Sequence, residues 1–127
     1  MGIEVHFEIR PRRVLIVDDN LELAENIAEI LRLDGHLTDV AGSAEEALPK
    51  ASDSEPDVVV TDYRLPGING AAFVSQCCAL HLRVRAVVIS AYTDDRTIKE
   101  ARDAGATFIP KPVDFRLLSQ FIRDSPA

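Results

Sequence analysis

A doubly wound α/β domain is the fold this sequence predicts, on three observations. Short apolar runs of strand length recur at residues 14–17, 58–61 and 86–90. Each is followed by a stretch whose apolar residues fall at helical spacing. Acidic or hydroxyl residues stand where the runs stop: Asp18 and Asp19 after the first, Asp62 after the second, Ser90 at the end of the third. Near-continuous apolar runs belong to parallel strands covered on both faces, and alternation with helices builds such sheets by right-handed crossovers.

The elements follow in order. Val14-Leu15-Ile16-Val17 is the first strand, and Leu23, Ala24, Ile27, Ala28 and Leu31 mark one face of a helix that Gly35 can cap. Residues 37–40 are a weaker strand. Ser43 and Glu46 make the Ser-x-x-Glu pattern that satisfies free amides at a helix start, and Pro49 is expected to end or bend that helix early. The β-branched run 57–61 is the third strand, and the Arg64-to-Gly70 stretch reads as a turn-rich loop. Phe73, Cys77 and Leu80 then line one face of a third helix. Residues 86–90 form a fourth strand, before a helix that begins near Thr93 or Asp94, with Thr93 read as a cap, and stops at Gly105. Its charges, from Asp94 to Asp103 and including Glu100, read as a solvated face. Residues 107–110 form a last strand whose pairing must end or lie at an edge at Pro110, and Asp114 caps a fifth helix with Phe115, Leu118, Phe121 and Ile122 inward. This is a flavodoxin-like arrangement, a five-stranded parallel sheet with helices on both faces.

A chain of 127 residues, 46% hydrophobic, suits one core. The domain is expected over 13–124, with 1–12 an N-terminal extension and 125–127 a tail. In the extension Ile3, Val5, Phe7 and Ile9 alternate with Glu4, His6, Glu8 and Arg10, a period-two pattern. It suits an extra strand, an expression remnant or the end of a preceding domain. The net charge of −7 argues against direct nucleic-acid binding. Adjacent Cys77 and Cys78 form neither a relaxed disulfide nor a zinc site and read as reduced thiols, one packed and one partly exposed. With no apolar stretch of membrane-spanning length and no signal-peptide core, a cytoplasmic domain without membrane contact is expected. His6, His36 and His81 lack ligand spacing and read as solvated or satisfied.

The chemistry lies in the strand-end acids. In parallel sheets ligands bind outside the carboxyl ends of the strands, so Asp18, Asp19 and Asp62 converge on one crevice. Carboxylates about 5 Å apart repel by roughly 3 kcal/mol per pair at an effective dielectric near 20, and a hard divalent cation is the natural compensation. Any one of these aspartates alone reads equally well as a cap or turn residue; the three together do not.

With Lys111-Pro112 after the fifth strand and Pro66-Gly67 and Gly70 after Asp62, the chain resembles response-regulator receiver domains from about Arg13 to Arg123. The resemblance implies that Asp62 is the phosphoacceptor, taking a phosphoryl group from a histidine kinase or histidine phosphotransfer protein. It implies Mg²⁺, with Mn²⁺ able to substitute, held directly by Asp19, Asp62 and the Arg64 carbonyl and by Asp18 through water. Lys111 would pair with the acceptor and then the phosphoryl oxygens, and a cis bond would precede Pro112. Ser90 would bond the phosphoryl group, Phe108 would turn inward as the aromatic switch, and a protein target would read the face of the fourth helix, fifth strand and fifth helix. Arg64 and Tyr92 occupy positions that tune the acyl phosphate's lifetime. The domain is then a signalling phosphoacceptor that promotes its own phosphotransfer and slow dephosphorylation rather than an enzyme, a monomer or a phosphorylation-dependent dimer.

Three other readings compete. A flavodoxin-like cofactor binder needs a hydroxyl- and amide-rich phosphate loop after the first strand, where Asp18 and Asp19 stand and would repel the phosphate. A dehalogenase-like phosphatase needs a second aspartate two residues after the nucleophile, where Arg64 stands. A phosphorylation-independent interaction module of the same fold is opposed by the intact constellation. The parent is a stand-alone regulator, an excised receiver or the C-terminal receiver of a hybrid histidine kinase. Residues 2–11, similar to the last strand of a kinase ATP-binding domain, and the Asp62-Tyr63-Arg64-Leu65-Pro66 run lean toward the last.

Overall fold

The computed structural model describes residues 10–80 and 82–125. The alternating segment from Ile3 to Ile9, with His6, and also His81 lie outside the described residues. Among the described residues strands β1 (Arg13–Val17), β2 (Leu37–Ala41), β3 (Val58–Asp62), β4 (Arg85–Ser90) and β5 (Thr107–Pro110) alternate with helices α1 (Leu21–Leu33), α2 (Ala44–Ser54), α3 (Gly70–Ala79), α4 (Asp95–Asp103) and α5 (Phe115–Arg123). All strand pairs are parallel, in the order β2-β1-β3-β4-β5. The chain therefore steps outward from β1 to β2 and returns across β1 to β3, opening a switch-point crevice at the carboxyl ends of β1 and β3.

Alternation along the strands sorts the core into two layers. Val14 and Ile16 of β1 join Ala24, Ile27 and Leu31 of α1 and Leu118 and Ile122 of α5 on one face. Leu15 and Val17 face the other way, against Ala44, Ala47 and Ala51 of α2 and Phe73 and Cys77 of α3. Val74, Ala86, Val88, Ala101 and Ala106 extend that second layer beneath α4. Helices α1 and α4 both end in a glycine at positive φ, Gly35 and Gly105, whose amides donate to Arg32 O and Arg102 O. The next amides, of His36 and Ala106, reach back to Leu31 O and Ala101 O, completing a Schellman stop at each helix.

Several expectations are corrected. Helix α2 runs through Pro49 to Ser54. Proline removes one amide there, but the buried alanines on either side, Ala47 and Ala51, hold that helix face against the sheet, and packing outweighs one lost bond. Leu80 is the C-cap of α3 and is half-exposed; Gly70, Ala71, Phe73, Val74 and Cys77 form the buried face. The cap of α4 is Asp94, whose carboxylate accepts from Thr97 N, and Thr93 is exposed. The inward face expected of α5 holds: Leu118 and Ile122 are buried, and Phe115 and Phe121, partly buried, pack against the same core.

Arg12 and Ser125 fall outside the 13–124 span read from the sequence, yet both are buried. The Arg12 guanidinium donates to Ser125 O at 2.9 and 2.6 Å, to Arg123 O at 3.1 Å and to Arg10 O at 2.7 Å. The carbonyls closing α5 thus supply the partial negative charge that a buried cation needs. Arg85 lies over the Phe121 ring at 4.1 Å and donates to Ser125 Oγ at 3.1 Å. His36 Nδ1 accepts from Arg12 N, and burial holds its pKa below the usual value, so the ring is a neutral core histidine. Its Nε2 has no hydrogen-bond partner. Cys77 is buried, which pushes its thiol up to about 11, and Cys78 is exposed. No helix among the described residues is long and apolar enough to cross a membrane.

Candidate functional site

The crevice is built by backbone bonds that carry each strand one step beyond its end. Asp18 N donates to Ala41 O, Tyr63 N to Ile89 O and Lys111 N to Ser90 O, so the residues leaving β1, β3 and β5 are each pinned to the neighbouring strand. Asp18, Asp19 and Asp62 meet there, each offering an oxygen within 4.8 Å of the others. Asp18 is buried, Asp62 partly buried and Asp19 exposed. The acids therefore run from a desolvated floor to an open mouth.

Lys111 enters from the far side. Its Nζ lies 3.2 Å from Asp62 Oδ2 and 3.9 Å from Asp18 Oδ2, and the Lys111-Pro112 peptide is cis. One ammonium against three carboxylates leaves the site strongly negative. Burial pushes the Asp18 carboxyl up to about 6, the Asn20 amide bonded to its Oδ1 opposes the rise, and the nearby Asp62 adds to it. An oxygen-only donor set with excess negative charge has the chemistry of a hard-cation site.

Ser90 is fully buried at the end of β4, its Oγ accepting from Tyr92 N at 2.9 Å. Phe108 pairs with Val88, two residues before Ser90 on the same strand face, and packs at the rim of the cluster under α4. The two thus share one side of the sheet. Arg64 and Tyr92, both exposed, come from different loops, and the guanidinium sits over the Tyr92 ring at 4.2 Å. Their cation–π contact joins the loops after β3 and β4 at the crevice.

The structure adds Asn69, which the sequence reading does not single out, and gives Gly70 and Glu100 roles beyond those expected from the sequence. Asn69 caps α3, its Oδ1 accepting from Ala72 N. Gly70, the first residue of α3 rather than a loop residue, lies hard against the Asp62 backbone. Glu100 is turned from the solvated face of α4 to accept from Tyr63 Oη, and this bond holds the Glu100 carboxyl below the usual range while raising the phenol. Only the Asn69-Gly70 pair carried a local signal, that of a capping residue at a helix start.

A family model described as the response regulator receiver domain matches residues 14–123. A response regulator receiver protein of Anaeromyxobacter is 41% identical over 103 residues, covering 80% of this chain and 43% of the relative. The chain spans about half the length of the curated relatives it matches. Among solved structures, a CheY-like receiver domain from Methanospirillum hungatei superposes with a TM-score of 0.84 at 26% identity, over 91% of this chain and 93% of that one. A chain of the CheX-CheY-BeF3-Mg+2 complex from Borrelia burgdorferi superposes with a TM-score of 0.79 at 31% identity, over 87% of this chain and 85% of that one.

Proposed function

Because the chain belongs to the response regulator receiver family, and is a phosphoacceptor signalling domain on that ground, we propose that Asp62 is the residue that takes the phosphoryl group. The observation that carries this reading is the single ammonium of Lys111 bonded to one of three converging carboxylates at the sheet's switch point. An Asp62 oxygen attacks phosphorus in line, the P–N bond of the donor phosphohistidine breaks, and its electron pair returns to the imidazole. Lys111 then exchanges its carboxylate partner for phosphoryl oxygens. Ser90 leaves Tyr92 N and donates its hydroxyl to the phosphoryl group, and Phe108 follows into the space behind it.

Asp19, Asp62 and the Arg64 carbonyl would hold Mg²⁺, or Mn²⁺ in its place, with Asp18 acting through water; the cation neutralises phosphoryl charge during transfer. The donor is a histidine kinase or phosphotransfer protein, and the output surface is the face of α4, β5 and α5. With Mg²⁺ and acetyl phosphate, the wild-type protein should gain one labile phosphoryl adduct by intact mass. Chelation or Asp62→Asn should abolish it, and an equal adduct on Asp62→Asn would refute the assignment.

The raised Asp18 pKa gives a signed pH dependence. Its folded-state value, about 6, exceeds the ordinary 3.8, so its contribution to stability is present below about 4 and lost as pH rises through about 6. Without metal, Asp18→Asn should be more stable than wild type at pH 7, on the order of 2 kcal/mol, and the gap should close toward pH 4. Comparing the two proteins isolates this group, because Asp94 and Glu100, held below the usual range by Thr97 and Tyr63, act in the opposite sense. Mg²⁺ should raise the wild-type Tm at pH 7 far more than that of Asp18→Asn; parallel melting curves would contradict the account.

Arg64 stacked on Tyr92 screens the acyl phosphate from water. Arg64→Ala should lose its adduct about two- to fivefold faster, as expected for one exposed cation–π contact. An equal or slower loss would count against a screening role.

A further inference from the structure

Tyr63 follows the proposed acceptor directly, and its backbone is pinned on both sides: its amide donates to Ile89 O at 2.8 Å and its carbonyl accepts from Gly70 N at 2.8 Å. Its ring packs at the rim of the cluster under α4 that Phe108 also borders. Its hydroxyl donates to Glu100 Oε2 on α4. Asn69 Nδ2 lies 3.4 Å from that same oxygen, and Arg96 Nε bonds the other carboxylate oxygen at 3.1 Å.

Among the described residues helix α4 buries little apolar surface. Its fully buried residues are Thr97 and Ala101, both small, so the apolar area anchoring it is modest and the Tyr63–Glu100 bond is a substantial share of its attachment. The same helix is tied at its start to Ser90 through the short run Ala91-Tyr92-Thr93-Asp94. Movement of Ser90 toward Asp62 pulls the N-terminus of α4, while Glu100 is held to the loop that carries Asp62.

We propose that Tyr63 is a positioning residue for the switch: its bond to Glu100 latches α4 in the arrangement in which Ser90 accepts from Tyr92 N, and phosphoryl transfer must release that latch. The proposal rests on the reading of Asp62 as the acceptor. The latch holds the acceptor loop and the output helix in one register, and its strength sets how much of the phosphoryl binding energy goes into moving α4.

The test is calorimetric titration of beryllofluoride, a phosphoryl mimic, at saturating Mg²⁺ on wild type, Tyr63→Phe, Glu100→Ala and the double variant. Amide exchange of α4 is followed in parallel. Tyr63→Phe keeps the ring in the core and removes only the donor. Each single variant should bind the mimic about two- to tenfold more tightly, the range set by one hydrogen bond. The double variant should bind no more tightly than the singles, because one bond is lost in all three. Mg²⁺ affinity without fluoride should stay unchanged. Faster exchange in α4 with unchanged mimic affinity would reduce the bond to a structural contact and overturn the latch, as would additive tightening. Failure of wild type itself to bind the mimic would overturn the acceptor reading and the latch with it.

Discussion

Gly70→Ala is expected to lower the Tm by at least about 10 °C, a loss of several kcal/mol, and to slow phosphoryl uptake by a factor on the order of 100. A Cβ at this position would lie 2.2 Å from the Asp62 carbonyl oxygen, 3.0 Å from its carbon and 3.0 Å from Thr61 Oγ1. Neither side can yield cheaply. Asp62 belongs to the central strand β3 and pairs with Ile89, while Gly70 N is bonded to Tyr63 O as α3 begins. The added methyl must push the backbone of Asp62, the proposed acceptor, so stability and chemistry are expected to fail together. Gly42→Ala is the control, because its Cβ would meet atoms only at 3.5 and 3.6 Å. Thermal melts and the rate of adduct formation with acetyl phosphate measure both effects. A Gly70→Ala protein with the wild-type Tm and rate would mean that the loop moves aside at no cost.

Arg12→Ala is expected to cost about 3 kcal/mol or more, since it strips hydrogen bonds from buried carbonyls at the end of α5 and removes a cation matched to the helix dipole. Ser125 O alone accepts two of those bonds. The clamp joins the chain entering β1 to the chain leaving α5, at the end of the sheet opposite the carboxylates. Urea unfolding should therefore show a lower midpoint while the folded variant still accepts phosphoryl groups at close to the wild-type rate. A lost adduct in a fully folded Arg12→Ala protein would show that the two ends of the sheet are coupled.

What was legible in the sequence and what was not divide along a physical line. Asp18, Asp19, Asp62 and Lys111 stand just at or beyond strand ends, so finding the strands brought the three carboxylates and their ammonium together. Helix caps at Ser43 and Asp114 and the glycine stops at Gly35 and Gly105 were legible because each is a local device. The partnerships of Arg12 with Ser125, Tyr63 with Glu100 and Arg64 with Tyr92 were not, because they join residues remote in sequence and leave no periodic trace. Pro49 shows the converse failure: a local rule that holds for an isolated helix was overruled by burial of Ala47 and Ala51 on the neighbouring turns. Glu100 looked like one more surface charge, and only the placement of α4 beside the loop after β3 turned it inward.

The central claim is that the phosphoryl group resides on the Asp62 carboxylate. It is tested most directly by treating the Mg²⁺ and acetyl phosphate reaction mixture with borohydride, which reduces an acyl phosphate to the alcohol, and sequencing the resulting peptides by mass spectrometry. Homoserine should replace aspartate at position 62, with Asp18 and Asp19 unmodified. Reduction at Asp18 or Asp19, or an unreduced Asp62 in protein that carries the phosphoryl mass, would contradict it.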